Sequence, residues 1–258
     1  MSVDVSKAME AAQVLYRGGE RRDSLLILKS LWEGEELNVG EEFRVFCAMV
    51  EVWTLKDASS VVEFLDSVIS GEGTYHGFWG RRSVNEQAIL LDWMGLLSLN
   101  TQDPVRAFEF FGRAASLGRD THELWKNLGS LYIKFQDLEL GLRYVRRSFQ
   151  LYRQMDLNLL SGKEEILGTF SGTTICKSKG LLEEYLEILL HATRLAKGQR
   201  NLKGVRELVV EMIHQFPEEN RLPKIRLLIE SAVVESSLRF TAVSPKTPER
   251  RLANESRS

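Results

Sequence analysis

Close-set arginines, four histidines and two cysteines are the side chains of this 258-residue chain with most chemistry to offer. Their densest grouping is GEGTYHGFWGRR, residues 71–82, where His76, Arg81 and Arg82 stand among four glycines and the rings of Tyr75, Phe78 and Trp79. Such a stretch could cradle a phosphate, form a catalytic or metal loop, offer stacking rings to nucleic acid, or connect two helices. A phosphate cradle needs a strand before it and a helix N-terminus with properly spaced glycines after it. The preceding VVEFLDSVIS carries helical spacing instead, so the stretch reads as an inter-helix insertion over 71–84. Its rings either plug a seam or stand as a binding edge of Tyr75, His76, Phe78, Trp79, Arg81 and Arg82. Packing is the favoured reading, because a large ring in a hydrophilic loop more often anchors than attracts.

The remaining candidates are sparser. His191 follows Glu187 by four residues and His214 follows Glu211 by three, so each pair shares a helix face. A Glu-x-x-His step holds metal in helical bundles in duplicate and with further carboxylates; here it is single, and no metal or cofactor is expected. Cys-x-x-Cys, His-Glu-x-x-His, Gly-x-x-x-x-Gly-Lys-Ser/Thr and Gly-x-Ser-x-Gly are all missing, and no catalytic residue is assigned. RLAKGQRNLKGVR sets Arg194, Lys197, Arg200, Lys203 and Arg206 at steps of three with no acid between them. RYVRRSFQLYR adds Arg143, Arg146, Arg147 and Arg153 with Tyr144 and Tyr152. Two readings fit these clusters: phosphate binding in a nucleic-acid-associated or regulatory module, or solvated helix ends where the dipole favours cations.

The totals weigh against the first of these. The 34 Lys and Arg nearly balance 36 Asp and Glu, so global charge makes no case for nucleic acid. Residues 1–80 hold 7 basic and 14 acidic side chains, however, while the remainder holds 27 and 22. That dipolar layout could steer a partner or favour head-to-tail self-association. Cys47 and Cys176 lie far apart and suggest no disulfide framework. Without a basic start followed by an apolar run, or any window of about eighteen apolar residues, the expectation is a soluble cytoplasmic protein with no membrane insertion.

Five prolines and apolar residues at three-and-four spacing predict helix after helix, hence an all-α fold. At an offset of 34, Leu91 falls on Trp125, Met94 on Leu128, Gly95 on Gly129 and Asp103 on Asp137; Ala107 falls on Gly141, Phe111 on Val145 and Ala114 on Ser148. Small residues at Gly95/Gly129 and Ala107/Gly141 would let two helices approach closely, with Phe111 or Val145 between them. Asp103-Pro104 is a helix cap and first-turn pair. Weaker units place Ala8, Ala12 and Leu15 against Ser24, Leu28 and Leu31. Further on, Ala48, Met49 and Val52 face Val61, Leu65 and Val68, with Asp57 as cap. Last come Leu189, Ala192, Thr193 and Ala196 before Val205, Val209 and Met212.

LWKNLGSLY, with Trp125, Leu128, Gly129 and Tyr132 followed by Gly141, Val145 and Ser148, resembles the tetratricopeptide repeat, a 34-residue helix-turn-helix. Arg119 and Arg153 stand where that family carries a proline. The resemblance implies an α-solenoid of about five antiparallel helix pairs over 1–240, wound as a right-handed superhelix. An irregular segment would cover 156–180 and a capping helix 219–240, and 241–258 would be a disordered tail holding Ser244-Pro245 and Thr247-Pro248. It further implies a non-enzymatic scaffold or adaptor gripping a peptide or protein partner on its concave face. That face would be lined by Ile89, Asp92, Leu96, Leu99 and Asn100, then Glu123, Lys126, Ser130, Ile133 and Lys134. Of the set with which some members clamp a C-terminal carboxylate only Lys126 is present, Ser130 replacing the asparagine.

Overall fold

A computed structural model describes residues 4–34, 37–54, 58–71, 77–160, 178–199, 202–217 and 219–242. Among them the only regular structure is helical: α1 (Val5–Arg17), α2 (Arg21–Gly34), α3 (Val39–Thr54), α4 (Ala58–Ser70), α5 (Val84–Asn100), α6 (Pro104–Ser116), α7 (His122–Lys134), α8 (Leu138–Leu160), α9 (Ser178–Gln199), α10 (Lys203–Gln215) and α11 (Arg221–Ala242). A 3-10 turn, Trp79–Arg81, precedes α5. Local chemistry sets several starts. Ser83 and Glu86 form a reciprocal capping box on α5. Asp103 accepts from the Arg106 amide at 3.0 Å with Pro104 in the first turn of α6, and Thr121 caps α7. Asp57, the expected cap of α4, lies outside the described residues, as do 161–177 and 243–258.

The 34-residue spacing reappears as backbone geometry. Thr101 N donates to Leu97 O at 2.9 Å and Asp103 N to Ser98 O at 2.8 Å; one repeat later Phe135 N donates to Leu131 O at 2.8 Å and Asp137 N to Tyr132 O at 2.9 Å. The middle residues, Gln102 and Gln136, both take the left-handed conformation, at φ 63° and 69°. The α1–α2 turn has the same bonds, Gly18 N to Val14 O and Glu20 N to Leu15 O, each 2.9 Å, around Gly19 at φ 88°. A left-handed residue is what this turn demands; glycine supplies it freely, glutamine at about 1 kcal/mol.

Close crossing follows from the glycines on α5 and α7. A Cβ built on Gly95 would lie 2.5 Å from the Phe111 ring. On Gly129 it would lie 2.6 Å from Val145 Cγ2 and 2.9 Å from the Gly141 carbonyl. Ala107, Phe111, Ala114, Val145 and Ser148 are fully buried, as are Ala12, Ser24 and Leu28 in the first pair and Val61, Leu65 and Val68 in α4. Two residues past the end of α6, Gly118 takes the left-handed region at φ 89°, and the equivalent position 34 residues on is Tyr152. A tyrosine does not readily take that conformation, and α8 runs on to Leu160.

The chain divides into two compact units, Met1–Tyr185 and Leu186–Ser258. One continuous core runs through the first, from Ala12 in α1 to Leu131 in α7. In the second, Leu189, Ala192, Ala196, Val205, Val209 and Met212 are buried, and Leu222, Ile225 and Ile229 turn inward from α11, which packs on α10. Leu227, Leu228 and Val234 of α11 are exposed, so its outward face is more apolar than a polar cap would have.

Candidate functional site

The ten residues expected to line an inner face sit on α5 and α7. Asn100 and Lys134 are exposed; Ile89, Leu96, Leu99, Glu123, Lys126 and Ser130 are half-buried, Leu96 and Leu99 leaning on the core. Two of the ten present nothing to a groove. Ile133 is buried because its side chain fills the space over Gly141, where a Cβ would stand 2.5 Å from Ile133 Cγ1. Asp92 is buried, and Arg119 of the α6–α7 turn donates from Nε to its Oδ2 at 3.2 Å. Lys126 is neutralised by an ion pair with Glu184 of α9, so its ammonium is already engaged and does not offer a free carboxylate clamp.

Burial pushes the Asp92 carboxyl up to about 6; Arg119 opposes this and Glu123 adds to it. The folded state therefore holds the proton more tightly than the unfolded chain. The resulting stability is fully present below the ordinary aspartate value of about 4 and is lost as pH rises through about 6. Asp92→Asn removes the buried charge and is expected to gain roughly 2–3 kcal/mol near neutral pH and to flatten this dependence. Urea denaturation at a series of pH values checks it; an equal slope in both proteins would refute it.

The 77–83 segment is anchored inward. Phe78 is buried, its centroid 4.7 Å from Phe46 and 5.1 Å from Trp32. The fully buried Arg82 side chain lies over the Phe78 ring at 4.4 Å, donates to Val39 O at 2.9 Å and to Phe78 O at 3.3 Å, and pairs with Glu42. Gln87 Nε2 ties down the carbonyls of Trp79 and Arg82, each at 3.2 Å. As members of a binding edge, then, Phe78 and Arg82 are withdrawn into the core, which leaves half-buried Trp79 and exposed Arg81. Arg81 itself pairs with Glu42 at 2.8 Å. Tyr75 and His76 lie outside the described residues.

In the basic clusters Arg143, Arg147 and Arg206 have carboxylate partners, and Arg200 lies outside the described residues. Arg147 donates to both carboxylate oxygens of Asp120, at 3.3 and 2.5 Å. Arg143 reaches Glu139 at 3.7 Å and Arg206 reaches Glu230 at 4.0 Å. Tyr144 is stacked on Trp125 at 5.1 Å, and Tyr152 is buried. His191 and His214 are exposed, and among the described residues no three potential metal ligands gather. Burial raises the Cys47 thiol far above its ordinary range; Cys176 lies outside the described residues.

Three features carry no sequence signal. A cleft of about 450 Å³ between α4 and α6 has Glu63 and Arg113 at its rim over Ile69 and Phe110. Tyr185 of α9 reaches into the fold to bond Ser148, whose hydroxyl also faces the His122 carbonyl at 2.5 Å. The turn dipeptide Arg119–Asp120 reaches in two directions at once, Trp125 Nε1 donating to Asp120 Oδ1 at 2.6 Å. Each depends on side chains 26 or more residues apart, or on a turn where local periodicity is silent. No helix among the described residues is long and apolar enough to cross a membrane. Compared with known proteins, the chain matches no family model and no curated relative.

Proposed function

We propose that this chain is a non-catalytic scaffold, a tetratricopeptide-like solenoid of antiparallel helix pairs that binds a peptide or partner protein along the inner face of α5 and α7. The observation that carries the reading is the helix-to-helix turn at Thr101–Asp103 and Phe135–Asp137, with the same hydrogen bonds and the same left-handed glutamine 34 residues apart. Stacked units of that kind bury a shared core and leave one helix of each pair free to contact a partner. With Lys126 tied to Glu184 and Asp92 to Arg119, this face is suited to the body of a peptide or helix rather than to an acidic tail.

Asn100→Arg combined with Lys134→Glu alters two exposed inner positions without touching the core. Affinity capture from native lysate should fall about tenfold, equivalent to about 1.4 kcal/mol, with the helical circular dichroism unchanged. Glu109→Lys, on the exposed side of α6, is the control. Undiminished capture by the double variant would place the interface elsewhere.

A further inference from the structure

We infer that Arg119–Asp120 is a two-armed latch between the α5–α6 and α7–α8 pairs, whose arm to Asp92 opens in weakly acid solution while its arm to Arg147 and Trp125 stays closed. The helices within each pair touch along much of their length, whereas α6 meets α7 over a far smaller area. The shared core and Phe108 of α6, whose ring lies 4.9 Å from Tyr132 of α7, join the pairs, and the turn adds the polar connection. Arg119 reaches back to Asp92 at 3.2 Å. Its neighbour Asp120 reaches forward to Trp125 at 2.6 Å and to Arg147 at 2.5 Å.

The arms differ in what surrounds their carboxylates. Asp92 is buried, and its Oδ1 has no hydrogen-bond partner among the described residues, so a proton has an oxygen to occupy. The charged groups facing it are Arg119 from the turn and Glu123 from α7; the second carboxylate pushes toward protonation. Once Asp92 is neutral, the partly exposed Arg119 loses its counter-charge and is freed to hydrate. Asp120 sits near the surface. Its burial pushes the carboxyl up, but hydrogen bonds from Arg147 and Trp125 outweigh this and hold it below its ordinary value. Mild acid therefore unloads one arm only.

Amide hydrogen exchange on the full chain reads both arms. Gly118 N donates to Ala115 O at 3.0 Å and Arg119 N to Ala114 O at 3.1 Å, while Trp125 N donates to Thr121 O at 3.2 Å. Between about pH 7.5 and about pH 5, with intrinsic rates corrected, protection at Gly118 and Arg119 should fall about tenfold while the Trp125 amide and indole hold steady. D92N should show the low protection at both pH values. Equal protection at both pH values, a pH-dependent fall that persists in D92N, or a parallel loss at the Trp125 indole would each overturn the latch. A carbon-13 titration of the Asp92 carboxyl in the unmutated chain stands independently of the variant: a midpoint in the ordinary aspartate range would also overturn it.

Discussion

Gly129→Ala is expected to destabilise the protein by about 3 kcal/mol, although alanine is the better helix former by about 1 kcal/mol. The added Cβ would meet three atoms at once, Val145 Cγ2 at 2.6 Å, the Gly141 carbonyl oxygen at 2.9 Å and the Val145 amide nitrogen at 2.9 Å. Two of these are backbone, so relief requires α7 and α8 to move apart along a crossing that buries Leu128, Val145 and Phe149. Gly95→Ala should cost less, because its three nearest neighbours are all atoms of the Phe111 ring, which can tilt. Gly112→Ala, on the open side of α6 with nothing within 4 Å, should stabilise by about 0.5–1 kcal/mol. In a thermal melt, the first substitution should lower the midpoint by about 6–12 °C. A Gly129→Ala melt no worse than that of Gly112→Ala would mean that the two helices do not cross at this glycine.

That ordering also marks how far the chain could be read before its structure was described. The offset of 34 places Gly95 and Gly129 in one slot and Phe111 and Val145 in another, because volume at a helix crossing is written in residue size at fixed spacing. Left-handed Gln102 and Gln136 were not legible, since glutamine carries no propensity that announces positive φ. The greater length of α8 depends on the exchange of Gly118 for Tyr152, visible only once Gly118 is known to be the residue that turns the chain. The proposed inner face rests on register alone. Register puts Asp92 on it, but the charge partner of Asp92 is Arg119, 27 residues later, and that of Lys126 is Glu184, 58 residues later. Ion pairs across such separations leave no periodic trace.

Arg82→Met is expected to cost about 3–5 kcal/mol, the range for removing one partner of a buried, hydrogen-bonded ion pair. Arg81→Ala, next door in the chain, should cost under about 1 kcal/mol. Both guanidiniums reach Glu42, but the Arg82 side chain is wholly buried and the Arg81 side chain is 51% exposed. Arg82 also carries the carbonyls of Val39 and Phe78 and covers the Phe78 ring. Its loss leaves the Glu42 carboxylate to the exposed Arg81 alone, removes the side-chain bonds to the Val39 and Phe78 carbonyls and unseats a ring packed against Trp32 and Phe46. Arg82→Met with Glu42→Gln should recover part of the loss, because the carboxylate that has lost its buried partner is neutralised while the apolar contact is kept. Chemical denaturation of the parent, Arg82→Met, Glu42→Gln and the double variant closes the cycle, with Arg81→Ala measured beside them, and equal costs for Arg81→Ala and Arg82→Met would refute the anchor. The same variants separate packing from recognition at the glycine-rich segment. Arg81 and Trp79 are the described members still able to meet a partner, so capture lost in Arg81→Ala with stability intact would assign the edge to them and leave Phe78 and Arg82 as its foundation.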